Sequence, residues 1–383
     1  MAWNWQLRNW PNFAWDKDKL EKYEHAFILQ SGVIIGSSEH ISNEDKQELF
    51  IQLLSSEAVD TSLIEGEHLN RDSVQSSIKK ELGLSADVKK ATPAEKSIAM
   101  MMVDLYRNID EPLTHEALCL WHKLLMRHEH RIEVVGSYRT HEEPMEIVSG
   151  PDYAKKVHFV APPSKTVTDE MSQFIQWFED TSPDGNSPLP SLTRAGIAHL
   201  WFESIHPFED GNGRIGRGIA EKILSQGHLN AMMTVLAKTL LQKRKEYYDQ
   251  LGKASITLDI NEWLLWFAEI VLEAQQNTNL WVHWVIEKAS FMRKAQGQVN
   301  ERQEKVLLRL FRAGPEGFTG GLSAKNYMSI TGTTIATTTR DLRDLVEKNF
   351  LRKTGERKST RYFLNIDIPG LNYSAWDNDP QDK

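Results

Sequence analysis

The 383-residue chain reads as a mainly α-helical protein of two or three domains, with a β-hairpin set into a helical core and a C-terminal module in the order of a winged helix. Three observations predict this. Apolar residues recur at spacings of three and four through most of the chain, β-prone pieces are confined to two short stretches, and the length exceeds what one hydrophobic core organises, roughly 100–200 residues per domain. An apolar share of 40% and a charged share of 26% are those of ordinary globular chains, which excludes disordered and low-complexity classes. No run approaches the roughly 18–20 apolar residues of a membrane span, and Met1–Arg8 has no basic patch leading into an apolar stretch, so neither a membrane partner nor export is expected. Cys119 is the only cysteine. Intrachain disulfides and thiolate zinc sites are thereby excluded, a cytoplasmic setting fits, and its apolar neighbours predict a core position rather than a nucleophile.

Taken in order, residues 1–92 form a helical N-terminal extension with a helix over 44–60, and residues 93–280 form the core. Within that core Ile98, Met101, Met102, Leu105 and Tyr106 mark one buried helical face, as do Leu118, Trp121, Leu124 and Leu125. Met171, Phe174, Ile175 and Phe178 mark a third, and Ile197, Leu200, Trp201 and Ile205 a fourth; the period returns at 260–274 and 279–295. Between them, Glu146–Val148 and Val157–Val160 flank a Gly150-Pro151-Asp152 turn as a hairpin, and 182–191 is a Pro- and Gly-containing loop. Residues 281–299 connect to the module at 300–370, and 371–383 are a tail.

In that module a helix at 301–313, a short one at 323–330 and one at 333–348 burying Ile335, Leu342, Leu345 and Val346 precede a hairpin around Gly355–Ser359. The chain carries a net charge of −8, yet residues 300–365 hold thirteen Lys and Arg against seven Asp and Glu, a local +6 that leaves −14 elsewhere. Nucleic-acid contact over the whole surface is excluded, but contact with DNA or with a protein through 300–365 is not.

The densest chemistry lies at His206-Pro207-Phe208-Glu209-Asp210-Gly211-Asn212-Gly213-Arg214-Ile215-Gly216-Arg217. Gly211–Gly216 satisfies G-x-G-x-x-G, but a dinucleotide-binding turn needs a preceding strand and a later acidic residue, and here a helical period precedes it. A different phosphate site survives this test. Gly211 and Gly213 let backbone approach a ligand, the turn opens onto a helix N-terminus, and Arg214 and Arg217 three apart there require a compensating anion. Asp210 supplies the oxygen that Mg²⁺ takes beside nucleotide phosphates, and His206 has a pKa suited to accepting a hydroxyl proton. Metal sites of other kinds are weak, because His122, His128 and His130 lack ligand spacing on one helical face.

This stretch resembles the full signature of Fic-domain proteins, H-x-F-x-[DE]-G-N-G-R-x-x-R, at every fixed position. Gly136-Ser137-Tyr138-Arg139 with the hairpin 146–160 resembles that family's flap, residues 94–275 its all-helical core, and Tyr247-Tyr248 its aromatic pair near the nucleotide. Trp3-x-Trp5 and Pro11-x-Phe13-x-Trp15-Asp16 are similar to the extension of a bacterial subgroup that often carries a C-terminal winged helix. The resemblance implies transfer of AMP from ATP to a Ser, Thr or Tyr hydroxyl of a target protein. His206 would be the base, Asp210 the Mg²⁺ ligand, Gly211, Asn212 and Gly213 the anion-binding turn, and Arg214 and Arg217 the partners of the β- and γ-phosphates. UMP, GMP or phosphocholine transfer are alternatives within the family, and a homodimer is a further expectation.

Thr61-Ser62-Leu63-Ile64-Glu65-Gly66 resembles the family's inhibitory motif [ST]-x-x-x-E-[GN]. Thr61 and Glu65 are expected on one helical face, with Glu65 pairing Arg217 where the γ-phosphate belongs; alternatively Glu65 orients a water that removes AMP. The rival from another class is a nucleotide-sensing DNA-binding regulator, with Thr333, Thr334, Thr337 and Arg340 on its recognition helix and Arg352, Lys353, Arg357, Lys358 and Arg361 in its wing. Salt-dependent binding to duplex DNA separates it from the enzyme.

Overall fold

A computed structural model describes residues 2–39, 41–84, 90–149, 155–226, 234–318 and 320–371. The Gly150-Pro151-Asp152 turn, the tail beyond Leu371 and the side chain of Lys358 lie outside them. The described residues are mainly α, with fourteen helices and two two-stranded antiparallel sheets, and divide into two compact units.

The first unit comprises Met1–Ile35 and Phe50–Thr278. In chain order its helices are α1 (Lys17–Ser38), α2 (Asn43–Ile64), α3 (Arg71–Glu81), α4 (Pro93–Arg107) and α5 (His115–Met126). The hairpin strands β1 (Glu146–Ser149) and β2 (Lys156–Val160) follow, then α6 (Val167–Asp180), α7 (Ser191–Ile205), α8 (Asn212–Ser225), α9 (Leu236–Gln242), α10 (Arg244–Ala254) and α11 (Asn261–Ala295). The ends of α1 and α11 and the start of α2 are counted in the second unit. Local chemistry starts these helices where the chain needs them. Thr92 and Glu95 form a capping box around Pro93 at the head of α4, and the Thr114 hydroxyl accepts from the Ala117 amide at the head of α5.

α7 is the central element. Its spacing predicts one buried face, but thirteen of its fifteen residues are buried, because α6, α8 and the N-terminal segment all pack on it. α11 closes the remaining side at Gly196, whose carbonyl accepts from Trp263 Nε1 at 2.8 Å and where a Cβ would stand 2.7 Å from Leu264 Cδ2. α11 itself is one 35-residue helix, not two. The polar interruption at 275–278 stays helical because its side chains find partners: Gln275 donates to Ser31 Oγ at 2.8 Å and Thr278 to the Thr234 carbonyl at 3.0 Å. Cys119 is half-buried on α5 rather than in the core, and burial pushes its thiol pKa up, as an inert thiol requires.

The second unit, Gly36–Leu49 and Asn279–Lys383, contains α12 (Glu301–Phe311), α13 (Ala324–Thr331), α14 (Ile335–Glu347) and the ribbon β3 (Leu351–Thr354) with β4 (Arg361–Leu364). Leu351 faces Leu364 and Thr354 faces Arg361 in register, and Leu322 bridges to Tyr362. Buried Asp341 on α14 accepts from Arg302 Nε and the Tyr327 hydroxyl, both at 3.0 Å. One expectation fails here. Ile335 is 57% exposed and Val346 only half-buried, since the stripe that packs inward is Thr338, Asp341, Leu342 and Leu345, and Ile335 lies a turn before it begins.

Candidate active site

α7 ends at Ile205 because His206 adopts a left-handed conformation, φ 49° and ψ 61°. The carbonyls released there are collected by one buried side chain. Arg139 donates to the carbonyls of His206 (2.8 Å), Ile205 (3.2 Å) and Pro162 (2.5 Å) and to Ser164 Oγ (2.9 Å), while its own amide donates to the Pro207 carbonyl at 2.9 Å. Burial lowers the Arg139 pKa to about 10, which leaves it a cation at neutral pH.

The loop beyond is closed by its own residues. Phe208 is buried and stacks on His122 with ring centres 4.2 Å apart, and His122 Nδ1 accepts from the Gly136 amide at 2.9 Å. Burial lowers the His122 pKa to about 4, so its ring is a neutral packing group. The Asn212 amide accepts from Phe208 N (2.9 Å) and donates to Phe208 O (2.8 Å), so its side chain fastens the turn. Gly211 caps α8 at φ +81°, and a Cβ there would meet Met126 Sδ at 3.1 Å.

A cavity of about 480 Å³ gathers six of the site residues named from sequence: Glu65, His206, Gly213, Arg217, Tyr247 and Tyr248. Ile147 and Val148 of β1 and Phe159 of β2 supply its hairpin side. Burial, then the charge of Arg139, lowers the His206 pKa to about 4, so the imidazole is neutral at pH 7. Glu203, one turn earlier on α7, also lines the cavity; its Oε2 is 3.9 Å from His206 Nδ1, and burial raises its pKa to about 8.

Arg217, 1% exposed, is fully engaged with the end of α2. It donates to Thr61 Oγ1 (2.7 Å), to the Thr61 carbonyl (3.0 Å) and to Glu65 Oε1 (2.7 Å). α2 runs past the expected end to Ile64, and Glu65 stands in the closing turn that Gly66 makes at φ +84°, not on the helix face. Burial works to raise the Glu65 pKa, but Arg217 and then Arg214 outweigh it and hold the carboxyl below its usual range. Gly213 makes room for this seat, since a Cβ at 213 would overlap Glu65 Oε1.

Asp210, Gly211 and Arg214 are placed beside the cavity rather than in its wall. Arg214 Nη1 donates to Glu67 Oε2 at 2.9 Å, two residues beyond Glu65, and its Nη2 is 3.8 Å from Asp210 Oδ1. Asp210 Oδ1 accepts from the Gly211 amide at 2.5 Å and the side chain is 55% exposed. No group of three or more His, Cys, Asp or Glu that could hold a metal occurs among the described residues. A single exposed carboxylate does fit an ion held chiefly by a substrate's phosphates. Tyr247 lines the cavity with its hydroxyl 2.7 Å from His199 Nε2, and Tyr248, 43% exposed, lines it as well.

Sequence reasoning missed the work of Arg139, Glu67 and Glu203. Their partners lie far along the chain or depend on a turn, and no periodicity announces either; only the placement of Arg139 in the Gly136–Arg139 stretch offered a signal.

Residues 112–224 match the Fic/DOC family, and residues 3–84 match a domain of unknown function (DUF4172). Protein adenylyltransferase fic-1 of Caenorhabditis briggsae is 28% identical over 142 residues, 35% of this chain and 26% of that protein. Protein adenylyltransferase Fic of Nematostella vectensis is 26% identical over 145 residues, 38% of this chain and 29% of that protein. The chain thus spans less than a third of these curated relatives. A Fic family protein from Desulfovibrio desulfuricans G20 shares the fold at a TM-score of 0.51 and 21% identity, covering 92% of this chain and 98% of its own. The chain carries a Fic/DOC domain, in a mainly helical fold of the kind that neighbour has. No helix among the described residues is long and apolar enough to cross a membrane.

Proposed function

We propose that the chain is a protein adenylyltransferase that moves AMP from ATP to a hydroxyl side chain of a target protein, restrained by Glu65. The observation that carries this reading is one cavity shared by a neutral imidazole at the end of α7, the glycine-lined start of α8, and Arg217 with a carboxylate already on its guanidinium. His206 accepts the target's hydroxyl proton. The freed oxygen attacks the α-phosphorus, the bond to the β-phosphate oxygen breaks, and pyrophosphate leaves. Amides at the N-terminus of α8 and the guanidinium groups of Arg214 and Arg217 receive the phosphate charge. Asp210 is the residue that would hold Mg²⁺, which when bound neutralises charge on the phosphates.

The brake follows from the same contacts. While Glu65 holds Arg217, the γ-phosphate has no cation to meet at that point, and ATP lacks the anchor that aligns its α-phosphorus. The relatives named protein adenylyltransferase support this over the reading of a nucleotide-sensing DNA-binding regulator. That second reading keeps the basic 300–365 segment and the exposed start of α14 as support, so DNA contact by the second unit can coexist with the enzyme.

Intact-mass measurement after incubation with ATP and Mg²⁺ tests the function. A gain of one adenylyl unit on the chain or an added target is expected, with His206→Ala slowing it about 10²–10⁴-fold. A gain that persists undiminished in His206→Ala overturns the assignment of the base, and no gain from any nucleotide overturns the enzyme.

A further inference from the structure

The described residues ahead of α1 form one 3₁₀ turn at Asn4–Gln6 and an isolated β-bridge at Ala14, yet they touch three separate walls of the cavity. Asn4 is fully buried. Its side-chain amide donates to Ser204 Oγ on α7 at 2.8 Å, and its backbone N–H donates to the Ser255 carbonyl at the end of α10 at 2.7 Å. Trp5 Nε1 donates to the Val160 carbonyl at the end of β2 at 2.7 Å, and the Trp3 ring meets Phe159 edge-on at 5.2 Å. Phe159, Ser204 and Ser255 all line the cavity. The rest of the segment is anchored independently of it: Ala14 exchanges backbone hydrogen bonds with Leu258 (2.7 Å) and Ile260 (3.0 Å), and Trp10 Nε1 donates to Glu170 at 2.9 Å.

A two-stranded hairpin has two unpaired edges and little core of its own, so its position is set by whatever else it touches. Here α7, at whose end His206 stands, and β2 are linked by residues 3–5. We propose that this N-terminal strap is a positioning element of the candidate active site: Asn4 and Trp5 fix the hairpin at a set distance from His206, and so hold the groove into which a hydroxyl-bearing substrate must enter. This rests on the reading of the cavity given above. A 1 Å drift of the hairpin would leave ATP on α8 undisturbed while misplacing the attacking oxygen, which costs rate rather than nucleotide affinity.

The experiment uses the full chain in the Glu65→Gly background, with Trp5→Phe, which keeps an aromatic side chain but loses the indole N–H donor, and Asn4→Ala as the second variant. Both are expected to slow adenylyl transfer about fivefold or more with KM for ATP changed by less than about twofold, and to raise hydrogen–deuterium exchange over residues 156–160. Unchanged exchange at 156–160 in a folded Trp5→Phe protein overturns the strap, and so does unchanged transfer with exchange raised, since the hairpin would then move without consequence. Should the Glu65→Gly parent transfer nothing, the function falls, and the exchange arm still reports whether residues 3–5 hold β2.

Discussion

The two ends of the 206–217 segment stand in opposite conditions. At its start His206 is neutral and faces an open cavity; at its end Arg214 and Arg217 are each held by a carboxylate from the turn that closes α2. Under the proposed function, the half that would accept the proton is free to react, while the half that would bind the phosphates already holds carboxylates. A restraint of the proposed kind would need no movement of His206, only internal anions in the place of external ones, and both come from one turn in which Gly66 lies between Glu65 and Glu67.

Removing the first of these anions gives the largest test of that contrast. Glu65→Gly is expected to raise adenylyl transfer about tenfold, read by intact mass over time. It leaves the buried Arg217 cation with Thr61 as its hydrogen-bond partner among the described residues, so the unliganded protein should melt at a lower temperature, and ATP should restore more stability to it than to the parent. Equal rates in the two proteins would mean that the Arg217 pair is structural alone. Glu67→Gln tests whether the second carboxylate belongs to the same device. Its pair with Arg214 is partly open to solvent, so screening weakens it, and a rise of about two- to threefold is expected. A Glu65→Gly, Glu67→Gln double variant no faster than Glu65→Gly would confine the brake to Arg217.

How much of this was legible from sequence divides along the same line. The residues of 206–217 carry their chemistry in consecutive positions, and the local rules of caps, turns and helix N-termini apply directly to them. Glu65 was legible through a short motif, though its seat in a turn rather than on a helix face was not, because α2 runs on to Ile64 and closes only at Gly66. Arg139, Glu203 and Asn4 were not legible as parts of the site. Arg139 acts on the carbonyls of Ile205 and His206, more than sixty positions away, as well as on that of Pro162, and Asn4 on a hydroxyl two hundred positions away, distances at which no sequence period carries information. Periodicity also failed where it was too weak a constraint: α7 shows one apolar stripe in sequence but is surrounded on every side, its small residues Ala195, Gly196 and Ala198 being as buried as its large ones.

The smallest effect concerns the open half. A histidine with its ordinary pKa would make transfer rise through pH 6.5, whereas His206, lowered to about 4 by burial and by Arg139, is already neutral there. Transfer by the Glu65→Gly protein is therefore expected to be flat between about pH 5.5 and 7.5. Glu203, raised to about 8 by burial, holds its proton across that range and ionises above it, 3.9 Å from the imidazole that carries the target's proton in the proposed mechanism. The new charge favours imidazolium, so the rate should change by about twofold around pH 8, and Glu203→Gln should remove that step while leaving the plateau. The stability signs differ for the two groups. The depressed His206 contributes stability above its unfolded pKa near 6.5 that is lost as pH falls through about 4, and the raised Glu203 contributes stability below about 4.5 that is lost as pH rises through about 8. A rate that instead climbs through pH 6.5 and ignores Glu203→Gln would place His206 in water, and the contrast between a preset base and a blocked anion site would lose its first half.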